Sequence, residues 1–116
     1  MNNNDLIFIA MIALVAVFVL RMFLASRSRI SSADARTWVE EGALLLDVRS
    51  PTEFASGGLP AAKNIPVQSL SSRLGELEKE RPIVVYCASG MRSSRAASML
   101  KKQGFDAHDL GPAGAW

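Results

Sequence analysis

Three observations predict an α/β fold, a mainly parallel sheet flanked by helices on both faces and preceded by one transmembrane helix. From Ser31 onward, short apolar stretches alternate with segments of helical period, separated by turn residues. The two strongest of these stretches, Ala43 to Leu46 and Ile83 to Tyr86, are continuous rather than alternating, as in strands covered on both faces. Ahead of them all, Leu6 to Ala25 is apolar at every position except Arg21. A chain of 116 residues holds one domain of ordinary size, which excludes a multidomain enzyme. The chain therefore divides into an anchor with a basic linker, residues 1–29, and a folded domain, residues 30–116.

As a helix, Leu6 to Ala25 is about 30 Å long at ~1.5 Å per residue, the thickness of a bilayer core. No helical spacing gives it a polar face, so it does not read as the core helix of a soluble domain. Arg21 lies near one end, where a long side chain reaches the headgroups. Met1 to Asp5 carries no Lys or Arg, unlike the start of a cleaved signal peptide. Arg21, Arg27 and Arg29 all follow the uninterrupted run Leu6 to Leu20, which places the domain on the cytoplasmic side of a single-pass protein by the positive-inside rule. The single cysteine asks for no oxidising compartment. With these three arginines and Asp5 set aside, ten basic and ten acidic residues remain. A net-neutral domain is not a nucleic-acid binder of the basic type.

Taken in order, Ser31 and Asp34 open a short helix with apolar Ala35, Trp38 and Val39, and Gly42 stops it. Ala43 to Leu46 is the first strand, ending in Asp47-Val48-Arg49 and broken by Ser50-Pro51. A helical turn over Thr52 to Ala55 leads through Gly57-Gly58 and Pro60 to a brief extended piece at Asn64-Ile65-Pro66. Leu70, Leu74 and Leu77 recur at i, i+4, i+7 and predict a further amphipathic helix, with the charged run Glu78 to Arg81 in solvent. Ile83 to Tyr86 is the strongest strand and runs directly into Cys87. Ser93 and Ser94 offer caps for the next helix, which Gly104 ends, and Phe105 to Leu110 is the last strand. His108, the only histidine, reads as a surface side chain, and one His with one Cys cannot build a zinc site.

Cys87 stands where open α/β sheets carry their sites, beyond the C-terminal end of a central strand. Cys87, Ala88, Ser89, Gly90, Met91 and Arg92 bridge that strand to a helix, so backbone N–H groups and the helix N-terminus can converge on the sulfur and on an adjacent anion. Gly90 permits the required curvature, and the Ser89 hydroxyl can donate to a sulfur anion. Arg92 brings forked donors suited to a small oxyanion, and Met91 an apolar rim. Alone, a strand-end cysteine reads as a buried, inert thiol. It is the spacing of Cys, Gly and Arg between strand and helix that points to a nucleophile.

Cys87-Ala88-Ser89-Gly90-Met91-Arg92-Ser93 resembles the active-site loop of the rhodanese family, Cys-x-x-Gly-x-Arg-Ser. Leu46 to Phe54 is similar to that family's Asp-Val-Arg-x-x-x-Glu-Phe block, and Gly57 to Pro66 to its Gly-His-Ile-Pro-Gly-Ala-x-Asn-Ile-Pro block. The resemblance implies a sulfurtransferase that takes a sulfane sulfur from an anion such as thiosulfate, holds it as a persulfide on Cys87, and gives it to a thiol or to cyanide. It implies no metal and no organic cofactor. It also implies that Asp47 and Arg49 are buried and brace the active-site loop, although a strand-end ion pair without such a part fits the same residues. Four residues separate Cys87 from Arg92, where related phosphatases and arsenate reductases place five, which favours sulfur transfer over phosphatase chemistry. A non-catalytic, membrane-tethered binding module is the other alternative. Departures from the family pattern are Gly58 for its His, Ala61 for its second Gly, and Gly111-Pro112 for a late Gly-Gly.

Overall fold

The computed structural model describes the backbone of residues 1–116 and all side chains except those of residues 25–27. Helix α1, Asn3–Arg27, is followed by α2 (Ser32–Glu40), β1 (Leu44–Asp47), α3 (Pro51–Gly57), β2 (Lys63–Asn64), α4 (Val67–Leu70), β3 (Ile83–Cys87), α5 (Met91–Lys102) and β4 (Ala107–Pro112). The four strands form one parallel sheet in the order β2-β1-β3-β4. Within α1, Asn3–Leu24 is long and apolar enough to cross a membrane, and its large side chains are exposed.

Each central strand buries both of its faces, which explains why its sequence is a continuous apolar run. Leu46, Ile83, Val85 and Cys87 pack with Leu70, Ala96, Ala97 and Leu100, which brings α4 and α5 onto one face. Leu45, Val84 and Tyr86 point the other way, against Ala35, Trp38 and Trp116, so α2 and the C-terminal turn cover the second face. At the edge, Asp109 pairs with Val85 and Gly111 with Tyr86, so Leu110 is the extra residue of a bulge. That bulge turns the Gly111 N–H onto Asp109 Oδ1 at 2.9 Å.

Three of the predicted local features are corrected. The Leu70 to Leu77 repeat does not form one helix: α4 ends at Leu70, and a separate 3-10 turn spans Leu74–Glu76. Ser72 donates its hydroxyl to the Ser69 carbonyl at 2.9 Å, and Gly75 adds backbone freedom, so local bonds replace the helical ladder while Leu70 and Leu77 still reach the core. Helix α5 begins at Met91, not at a serine cap, and its N-cap is Gly90 at φ 96°. The last strand, predicted over Phe105 to Leu110, lies two residues later at both ends, Ala107–Pro112.

Candidate active site

Strand β3 delivers Cys87 to the C-terminal edge of the sheet, fully buried. Its Sγ accepts the N–H of Gly90 at 2.9 Å and the N–H of Ser93 at 3.3 Å. Ser93 occupies the third position of α5, whose N–H ordinarily bonds to a capping side chain. Here the cysteine sulfur takes the place of the cap, and the positive end of the helix is aimed at it. The loop keeps its shape through the Ser93 hydroxyl, which donates to the Gly90 carbonyl at 3.1 Å. Ala88, Ser89 and Met91 are exposed, whereas Cys87 and Gly90 are buried.

Arg92 turns away from solvent anions toward α3. Its Nη1 and Nη2 donate to Glu53 Oε1 and Oε2 at 2.7 and 2.9 Å. Glu53 also closes a capping box with Ser50, its carboxylate accepting the Ser50 N–H at 3.1 Å. Arg92 first, and the Ser50 N–H second, hold the Glu53 carboxyl down at about 2. Sequence reasoning assigned Glu53 no part in the site, although the Ser50-x-x-Glu53 pattern marks the box that orients it.

Asp47 is fully buried at the end of β1 and accepts from Arg49 Nε and Nη2, the shortest contact being 2.7 Å. Asp47 keeps Arg49 cationic beyond its ordinary range. Arg49 also donates to the Gly57 carbonyl at 3.2 Å, and its guanidinium stands 5.6 Å from the Tyr86 ring centroid. The Asn64 amide donates to the Asp47 and Arg49 carbonyls, both at 3.0 Å, and the Tyr86 hydroxyl accepts the Leu59 N–H at 2.9 Å. These bonds tie β1, α3, β2 and β3 together beneath the loop. They go to the segment before the site rather than to residues 88–92. Phe54 fills the space above Gly58, with ring atoms 2.5 Å from where a Cβ would stand. Ala61 adopts φ 65°, a left-handed conformation that suits glycine.

A cysteine sulfur held by two backbone donors at a helix N-terminus is arranged as a nucleophile toward an electron-poor partner. Among the described residues, no three His, Cys, Asp or Glu side chains are gathered to hold a metal. His108 lies away from the loop, its Nε2 2.6 Å from Asp106 and its ring edge-on to Trp38.

Residues 31–110 match the model of the rhodanese-like domain. A sulfurtransferase of Allochromatium vinosum is 42% identical over 65 residues, covering 56% of this chain and 61% of that protein. The thiosulfate sulfurtransferase GlpE of Pseudomonas syringae is 36% identical over 77 residues, covering 66% of this chain and 73% of the relative. The human single-domain sulfurtransferase TSTD1 superposes with a TM-score of 0.63 at 31% identity, over 77% of this chain and 91% of that structure. A rhodanese-like domain protein from Staphylococcus aureus gives a TM-score of 0.68 at 29% identity, over 77% and 90%. Against the A. vinosum protein and YqhL of Bacillus subtilis, the match spans 61% and 49% of the relative's length.

Proposed function

The chain belongs to the rhodanese-like domain family, and from that premise we propose that it is a sulfurtransferase, anchored in a membrane by α1, that carries sulfur as a persulfide on Cys87. The observation that carries this reading is the pair of N–H groups, from Gly90 and Ser93, that converge on the Cys87 sulfur at the start of α5. The Cys87 thiolate attacks the outer sulfur of a donor such as thiosulfate. A new S–S bond forms to Cys87, the donor's S–S bond breaks, and its electron pair leaves with sulfite. A thiophilic acceptor, cyanide or a thiolate, then attacks the outer sulfur and restores the Cys87 thiolate. The Gly90 and Ser93 N–H groups face Sγ when it attacks as the thiolate and again when the acceptor restores it, while in the persulfide between these steps the charge sits on the outer sulfur.

In this reading Ala88, Ser89, Gly90, Met91 and Arg92 form the wall of the cradle, with Arg92 fixed by Glu53. Asp47 and Arg49 hold the segments beneath it. In the same reading residues 1–29 are the anchor and basic linker and residues 30–116 the catalytic domain, and the positive-inside rule applied to Arg21, Arg27 and Arg29 supports a cytoplasmic side for it. Full-length protein in detergent should transfer sulfur from thiosulfate to cyanide, and turnover equal to that of a Cys87→Ser control would refute the enzyme reading.

A further inference from the structure

An anionic donor needs positive charge at the mouth of the site, yet Arg92 is neutralised by Glu53 through two contacts of 2.7 and 2.9 Å. A second guanidinium lies at the loop. Arg29, in the linker after α1, lays its head on Gly90: a Cβ built there would stand 2.7 Å from Arg29 Cζ. Its stem crosses Gly111, where a Cβ would stand 2.8 Å from Arg29 Cδ and Nε. Both glycines have positive φ, 96° and 88°. Bare backbone at these two points is what gives Arg29 its seat. The chain is fixed there by the Ile30 N–H, which donates to the Asp109 carbonyl at 2.9 Å.

Arg29 is only loosely countered. Asp109 Oδ2 stands 3.9 Å from Arg29 Nε, and among the described residues neither of these buried atoms has a hydrogen-bond partner. Asp109 Oδ1 is taken by the Gly111 N–H, and burial pushes the Asp109 carboxyl up from its ordinary range, against the pull of Ser93, Gly111 and Arg29. The pair runs through Nε, and the terminal nitrogens are the part that lies over Gly90. Arg29 borders a groove between Phe18, Arg21 and Met22 of α1 and Gly90, Met91 and Arg95, and among the described residues no carboxylate lines it.

We propose that Arg29 is a specificity-determining residue of this site: its guanidinium supplies the positive charge that draws an anionic sulfur donor to the loop, in place of Arg92. The proposal rests on the sulfurtransferase reading and deepens it. It also makes the segment that leaves the apolar helix part of the donor site.

The test uses full-length protein in detergent micelles, with thiosulfate as a doubly charged donor and an aryl thiosulfonate as a singly charged one. Arg29→Met should raise KM for thiosulfate about tenfold, one moderate charge contact at about 1.4 kcal/mol per decade. Its kcat should hold within about twofold, and KM for the thiosulfonate should rise less. Arg29→Lys should restore most of the affinity. Asp109→Asn, which removes the counter-charge, should tighten thiosulfate binding. Unchanged thiosulfate KM in Arg29→Met, or equal losses for both donors in Arg29→Met and Arg29→Lys, would overturn the proposal. Thiosulfate binding to a Cys87→Ser background, measured by calorimetry with and without Arg29→Met, tests it without turnover, and equal affinities there would overturn it as well. Absence of turnover in the wild type is a different result and refutes the enzyme reading instead.

Discussion

Arg92 and Glu53, 39 positions apart in the chain, meet side by side through two nearly equal contacts, 2.7 and 2.9 Å. The pair joins the first turn of α5, which points at Cys87, to the first turn of α3. Because Glu53 also accepts the Ser50 N–H, one carboxylate sets both the start of α3 and the direction of the loop arginine. Arg92 therefore acts in this structure as a tie within the site's wall.

Removal of that tie has a defined pH signature. The Glu53 carboxyl is held at about 2 against an ordinary 4.5, so its contribution to stability is complete above about 4.5, declines as pH falls, and is gone near 2. Thermal melts of the wild type and Glu53→Gln should differ by a constant amount from neutral pH down to about 4.5 and converge near pH 2. A gap that persists unchanged to pH 2 would mean that Glu53 contributes by packing alone.

Tyr86 gives the opposite slope at the alkaline end. Its side chain is buried, and that burial, with Asp47 beside it, pushes the phenol up to about 12 from 10. A raised acid pKa favours the folded state below about 10, and this contribution declines between pH 10 and 12. Tyr86→Phe leaves the Leu59 N–H without its acceptor, which should cost about 1–3 kcal/mol at neutral pH. Urea unfolding should show that loss at pH 8 and a smaller one at pH 11.

Ala61 stands at φ 65°, where a Cβ costs about 1–2 kcal/mol. Ala61→Gly relieves that cost and loses about 0.5–1 kcal/mol to the freer unfolded chain. The net expectation is a gain of up to about 1 kcal/mol, read as a higher urea midpoint with unchanged slope. A lower midpoint would show that the methyl group makes a packing contact worth more than the strain.

For α1, the reading as an anchor requires that full-length protein stay with the bilayer fraction after high salt and after alkali. Cys87 in sealed vesicles should react only with thiol reagents that reach the cytoplasmic side. Release by alkali would remove the anchor, and labelling from the opposite side would invert the topology.

Much of this was legible in the sequence because burial on both faces leaves a continuous apolar run. Ile83 to Tyr86 could hardly be anything but a central strand, and that alone put Cys87 at the C-terminal edge of the sheet. The cradle was legible from spacing, since Gly90 and the start of α5 had to fall within reach of the sulfur. Partners far away in the chain were not. Arg92 looked free for an anion because nothing near it in sequence is acidic; Glu53 reaches it only once β1 and β3 lie side by side. Arg29 reads as a flank of the apolar segment, and its place on Gly90 depends on the bulge at Leu110. The error over Leu70 to Leu77 has a local cause: leucines at i, i+4, i+7 reach the core equally well from two short turns when serines and a glycine lie between them.

Mass spectrometry of the intact protein after thiosulfate, without reductant, tests the central claim most directly. The expected product carries the mass of one additional sulfur atom on the peptide containing Cys87; cyanide should remove it, and Cys87→Ser should lack it. An unmodified Cys87 after thiosulfate, in protein shown to be folded, would contradict the assignment of this loop to sulfur transfer.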